Sequence, residues 1–172
     1  MGPVRVVVMG VSGCGKTTVG ALLADRTGWP FLDADNMHPA TNVAKMARGE
    51  PLTDVDRWPW LDDVAAWIAA RREAGEPGIV GCSALKRSYR DRLRRADPDL
   101  RFAYLGGDRA ILVERLAQRH GHFFPTRLLD SQFSDLEPPT ADERPINVQI
   151  GQSPDAVVDA ILAGLEASAP PD

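Results

Sequence analysis

The run Gly10-Val11-Ser12-Gly13-Cys14-Gly15-Lys16-Thr17 fits the pattern G-x-x-x-x-G-K-[ST], a spacing that builds a phosphate cradle. Its glycines let successive backbone N–H groups point into one concavity, and the positive end of a following helix adds to their field. In such a loop Lys16 reaches the β- and γ-phosphates and the Thr17 hydroxyl ligates Mg²⁺; the expected nucleotide contacts run from Gly10 to Thr18. A second reactive group is Asp33-Ala34-Asp35. Two carboxylates one residue apart can divide two tasks. One orders a Mg²⁺ shell, and the other accepts the proton of a hydroxyl attacking a γ-phosphate. Spacing alone leaves open which of the two is the base, and strand-end aspartates also cap turns.

Cations form the third set. Arg115 and Arg119 stand at i and i+4, on one helix face, suited to stacking on adenine and to bidentate capture of phosphate. Lys86 and Arg90 share the same spacing and could hold an anionic substrate group, while Arg87, Arg92, Arg94 and Arg95 read as solvent-facing. His38 and Arg57 lie in polar, proline-marked stretches of the kind that line pockets. The three histidines, His38, His120 and His122, lack paired helical spacing, which argues against a zinc site.

Strand and helix patterns alternate along the chain, which predicts an α/β domain with a mostly parallel sheet. The phosphate loop sits between an apolar strand, Val4–Met9, and a helical pattern over Thr18–Ala24, the context that the motif requires. Further strands are expected at Pro30–Asp33, Gly78–Cys82, Arg101–Leu105 and Ile146–Ile150. Helices are expected at 41–48, 60–74 and 86–95, then after a cap at Asp108, and finally after Ser153-Pro154. Residues 52–60 read as loop. The stretch Gly121–Arg144 has no clean long period and reads as a lid inserted between two ordinary units.

At 172 residues, 44% hydrophobic and 26% charged, the chain has the length and composition of one globular domain, taken as 1–172. A net charge of −4 argues against a general nucleic-acid binder. No apolar run approaches a membrane span, and no signal peptide is evident. Cys14 and Cys82 have neither metal-site nor disulfide spacing, which fits reduced thiols in a cytoplasmic protein. The residues alone thus point to a nucleotide-dependent kinase of an acidic small molecule. A nucleotide-dependent switch is the reading from another class, and would show basal hydrolysis indifferent to any acid sugar.

Several runs together resemble the gluconokinases: Gly10–Thr17, Asp33–Pro39, Asn42 with Lys45-Met46, Gly49–Asp54, Asp56-Arg57, Pro59-Trp60-Leu61, Cys82–Lys86, Tyr89-Arg90-Asp91, Gly121–Phe124 and Ser131-Gln132-Phe133. The resemblance spans the first strand to about Pro138 and continues loosely to the end. It implies a P-loop fold like that of shikimate and adenylate kinases, with a five-stranded parallel sheet flanked by helices. It also implies ATP and Mg²⁺ as cofactors, phosphorylation of D-gluconate to 6-phosphogluconate, and a homodimer. Another small-molecule kinase of this fold, acting on shikimate or a nucleoside monophosphate, is the nearest competitor. By the same resemblance Asp35 would meet the acceptor hydroxyl and Asp33 the Mg²⁺ waters. Arg115 would lie near adenine and Arg119 at the phosphates. His38, Arg57, Lys86, Arg90 and His122 would hold the gluconate, within a substrate insertion over about 36–60.

Overall fold

The computed structural model describes residues 2–120 and 126–168, with the side chains of 119, 120 and 126 left aside. Strands β1 (Arg5–Met9), β2 (Phe31–Asp33), β3 (Gly78–Gly81), β4 (Arg101–Gly106) and β5 (Ile146–Gln149) form one sheet in the order β2-β3-β1-β4-β5. All four pairings are parallel. Helices α1 (Lys16–Thr27), α2 (Ala40–Ala47), α3 (Asp54–Glu73), α4 (Arg87–Arg94), α5 (Arg109–His120), α6 (Thr126–Asp135) and α7 (Pro154–Ala167) complete the domain, with short 3₁₀ turns at Ala34–Met37 and Ala141–Glu143.

Every residue of β1 is buried, as expected for a central parallel strand covered on both faces. Alternation divides its side chains between two cores. Val6 and Val8 join Val19 and Leu23 of α1, Leu112 of α5 and Ile161 of α7. Val7 and Met9 face the other way, against Leu61 and Val64 of α3 and Leu93 of α4. The result is a three-layer helix–sheet–helix sandwich. Parallel strands also bring the carboxyl ends of β1, β2 and β3 to one edge, where open α/β sheets bind ligands.

Two expectations from the sequence need correction. Helix α3 starts at Asp54, inside the stretch read as loop. Thr53 and Asp56 form a capping box there: the Asp56 N–H donates to Thr53 Oγ1 at 3.2 Å, and the Thr53 N–H donates to Asp56 Oδ2 at 2.8 Å. The cap outweighs Pro59, whose missing N–H would have met the carbonyl of the exposed Val55, where water can reach it. Second, the stretch read as irregular holds α6, seated by Leu129 and Phe133 against the first core. Residues 137–143 then fold onto α4: the Glu137 N–H donates to Leu85 O at 2.8 Å, and Glu137 Oε1 accepts from the Arg87 N–H at 2.8 Å. Residues 121–125 of the expected lid lie outside the described residues.

Candidate active site

The phosphate loop is wound by glycines in the left-handed region, Gly13 at φ 85° and Gly15 at φ 98°. A Cβ at Gly13 would stand 2.8 Å from Leu116 Cγ, so the bare glycine lets α5 press against the loop. Gly15 is the N-cap of α1 and provides no side-chain cap, so the first-turn N–H groups have no cap acceptor and can meet an anion. Lys16 Nζ folds back over the loop, donating to Gly10 O at 2.9 Å and Val11 O at 3.2 Å.

Beside the loop, Thr17 Oγ1 donates to Asp33 Oδ2 at 2.9 Å. The other oxygen, Asp33 Oδ1, accepts from the Asp35 N–H at 3.0 Å and caps the 3₁₀ turn. Asp33 is thereby held against α1, whereas Asp35 lines a cleft of about 260 Å³. Lys16, His38 and Arg57 line the same cleft, together with Ser12, Trp60 and Gln132.

His38 stacks on Trp60, with ring centroids 4.0 Å apart, and Trp60 Nε1 donates to Ala34 O at 2.7 Å. The buried Asn42 sets the tautomer. Its Nδ2 donates to Asp56 O at 2.9 Å, which fixes that end of the amide as the donor; the same nitrogen lies 3.3 Å from His38 Nδ1. Nδ1 then accepts and Nε2 carries the proton. Burial lowers the His38 pKa below its ordinary 6.5; the Asp35 charge opposes this and the Arg57 charge adds to it. Near neutral pH His38 is therefore an uncharged imidazole that accepts through Nδ1 and donates through Nε2.

Arg57, its side chain 10% exposed, donates through NH1 to Tyr89 Oη at 2.9 Å and to Asp135 Oδ2 at 3.1 Å. Tyr89 Oη also hydrogen-bonds Asp54 Oδ1, which accepts from Lys86 Nζ at 2.9 Å. The phenol is pushed up by desolvation first and by its bond to Asp54 second, so it stays protonated. Asp54 is held below its ordinary range by the hydrogen bonds from Tyr89 and Lys86.

Arg90 was expected to face substrate and does not. Its side chain is fully buried, with Nε 2.7 Å from Glu143 Oε1 and NH1 donating to Ala84 O at 2.9 Å and Leu85 O at 3.1 Å. The i, i+4 pairing with Lys86 gave the face of α4 correctly for neither purpose: Lys86 is the residue before the helix, engaged with Asp54, and neither side chain lines the cleft. Arg90 instead braces the loop Ser83–Leu85, in which Ala84 holds a φ of 46° that a non-glycine residue rarely adopts. Ser83 O accepts from the Gly10 N–H at 3.3 Å, which joins this loop to the phosphate loop. Arg115 is half-buried on α5, next to the Leu116 that meets Gly13. The side chain of Arg119 and the whole of His122 lie outside the described residues.

Sequence reading gave no role to Trp60, Tyr89, Asp54, Gln132 or Asp135. Gln132 and Asp135 stand three apart on α6, a spacing that shares a helix face, but the helix itself had not been recognised.

A family model described as an AAA domain matches residues 6–139. A gluconokinase of Gluconobacter oxydans is 46% identical over 165 residues, covering 96% of this chain and 93% of its own. The chain belongs to the gluconokinase family. A gluconokinase structure from Sinorhizobium meliloti superposes with a TM-score of 0.88 at 46% identity, covering 96% of this chain and 93% of that one. The shikimate kinase of Aquifex aeolicus, at 20% identity and a TM-score of 0.51, shares the fold alone. This gluconokinase-family chain is accordingly a nucleotide-binding P-loop kinase with the expected five-stranded parallel sheet. Among its described residues, no helix is long and apolar enough to cross a membrane.

Proposed function

We propose that the protein transfers the γ-phosphoryl group of ATP to the primary hydroxyl of D-gluconate, giving 6-phosphogluconate. The observation that carries this is the shared cleft: a phosphate-loop lysine, a carboxylate just past a strand end and a largely buried arginine line one cavity. Lys16 bonds two backbone carbonyls and the Cys14 Sγ at 4.0 Å, with no carboxylate among these partners, so it can swing to the phosphates at small cost. The loop amides and the α1 N-terminus would spread the charge of the transferring oxygens. Asp35 would accept the proton of the hydroxyl as it attacks. Arg57 would meet the gluconate carboxylate, while His38 Nε2–H and Trp60 would line its hydroxyl chain. Arg115 would approach the adenine, with Arg119 and His122 kept as contacts on resemblance.

The residues fit a Mg²⁺ ion. Thr17 Oγ1 and Asp33 Oδ2 are hard oxygen donors 2.9 Å apart at the mouth of α1. No group of three or more candidate ligands gathers among the described residues, which suits a cation shared with phosphates rather than caged by protein. Such an ion, when bound, neutralises phosphate charge. The family resemblance also supports a homodimer; the spacing of Cys14 and Cys82 supports reduced thiols in the cytoplasm, and the net charge of −4 and the lack of a long apolar run count against nucleic-acid and membrane partners. The test is ADP release against gluconate, its epimers, shikimate and nucleoside monophosphates. Turnover with gluconate and indifference to the last two is expected; basal hydrolysis unmoved by any aldonate would overturn the proposal in favour of a nucleotide switch.

A further inference from the structure

Helix α6 touches both halves of the cleft through one face. At its middle, the Ser12 N–H donates to Gln132 Oε1 at 2.6 Å, and Gln132 Nε2 donates to Ser12 Oγ at 2.6 Å. The backbone N–H can only donate, so the orientation of the carboxamide is settled by chemistry. Three residues on, Asp135 accepts from Arg57. Leu128, four residues before Gln132, also lines the cleft, which places 128, 132 and 135 on the same side of the helix. The neighbouring side, about a quarter turn round the helix, is fixed in the core by Leu129.

Each of these contacts uses a group that a substrate needs. Ser12 belongs to the loop whose N–H groups hold phosphate, and a carboxamide oxygen is the same kind of acceptor as a phosphate oxygen without the charge. Asp135 offers Arg57 a carboxylate, the group that gluconate itself would present. A phosphate oxygen on the Ser12 N–H must displace Gln132 Oε1, and a substrate carboxylate on Arg57 must displace or share with Asp135. The two positions are about 4.5 Å apart along a stiff helix, so loosening one shifts the other.

Resting on the proposed substrate pair, we infer that Gln132 is a positioning residue of the phosphate loop, and that α6 couples occupancy of the nucleotide half to occupancy of the acid-sugar half through Gln132 and Asp135. Whichever ligand arrives first releases one end of the helix and so lowers what the second must displace. Coupling of this kind is reciprocal.

The experiment is calorimetric titration of gluconate into the full chain, with and without a non-hydrolysable ATP analogue plus Mg²⁺, and of the analogue alone. Wild type should bind gluconate on the order of tenfold more tightly when the analogue is present. In Gln132→Ala, Gln132→Asn (one methylene too short to reach) and Asp135→Asn, that factor should fall to about one, with melting temperatures reporting that each variant is folded. Retained coupling in the variants, or none in wild type, would overturn the inference, since a merely structural contact would change melting without changing the ratio. The analogue-only arm does not depend on the sugar. Gln132→Ala should tighten the analogue by about two- to tenfold, the worth of one competing hydrogen bond. Gln132→Glu should weaken it, because the carboxylate keeps the Ser12 N–H and repels phosphate. Should no aldonate bind wild type, the proposed substrate fails, while equal analogue affinity across these variants would separately remove Gln132 from the phosphate site.

Discussion

Replacing Glu143 by glutamine removes one charge from the most buried ion pair near the cleft. The Glu143 side chain is 1% exposed, and its two oxygens accept from Arg90 Nε at 2.7 Å, Arg90 NH2 at 3.1 Å, Arg94 NH2 at 2.6 Å and the Thr140 N–H at 2.9 Å. Desolvation pushes its pKa up, but the hydrogen bonds from Arg90, Arg94 and Thr140 outweigh it and hold the carboxyl at about 2. Glutamine keeps one acceptor oxygen, but its NH2 cannot accept, so the Arg90 guanidinium, 0% exposed, loses its countercharge and one of its two carboxylate bonds while keeping the Ala84 and Leu85 carbonyls. Breaking one side of a buried pair costs about 3–5 kcal/mol. For a domain of this size each kcal/mol lowers Tm by about 2–4 °C, so Glu143→Gln should melt roughly 6–20 °C lower by calorimetry. Adding Arg90→Met should recover part of the loss, since no uncompensated charge is then buried. The variant should also lose turnover below its melting temperature, because Arg90 braces the strained Ala84 loop that Gly10 bonds to. A Tm within about 2 °C of wild type, or a double variant no better than the single one, would refute the argument.

Asp35→Asn should lower kcat by about 10²–10⁴ with little change in KM for ATP, measured by coupled ADP release; an unimpaired kcat would remove Asp35 from the general-base role. Gly20→Ala should destabilise by about 1–3 kcal/mol in urea and depress activity further, because a Cβ there meets the Phe31 ring, its Cζ at 2.7 Å, two residues before Asp33. The pH dependence follows from His38, whose folded pKa lies below 6.5. The unfolded chain then binds the proton first, so the stability this group contributes is whole above 6.5 and is lost as pH falls through the folded pKa. Urea midpoints of wild type should drop through that range more steeply than those of His38→Gln, and parallel curves would count against the neutral imidazole.

The phosphate loop was legible because its chemistry is local. The glycine φ values and the helix N-terminus arise within the eight residues Gly10–Thr17, whatever surrounds them. The alternating strands were legible because burial on both faces leaves continuous apolar runs such as Val6-Val7-Val8. Helix α3 was misread at its start because Pro59 signals a stop more loudly than the Thr53/Asp56 box signals a beginning. Roles of charged side chains were legible only to the level of a face. Arg90 and Arg57 look alike in the sequence, each an arginine near a pocket-forming run. Only the fold, by packing Glu143 over one and opening a cleft beside the other, makes the first a buried brace and the second a cation that lines the cleft. Their carboxylate partners, Glu143 and Asp135, lie 53 and 78 residues away along the chain. Periodicity within one helix carries no information across such distances, so the sequence by itself determined the kind of enzyme and its phosphate site, and tertiary packing decided which charges face the cleft.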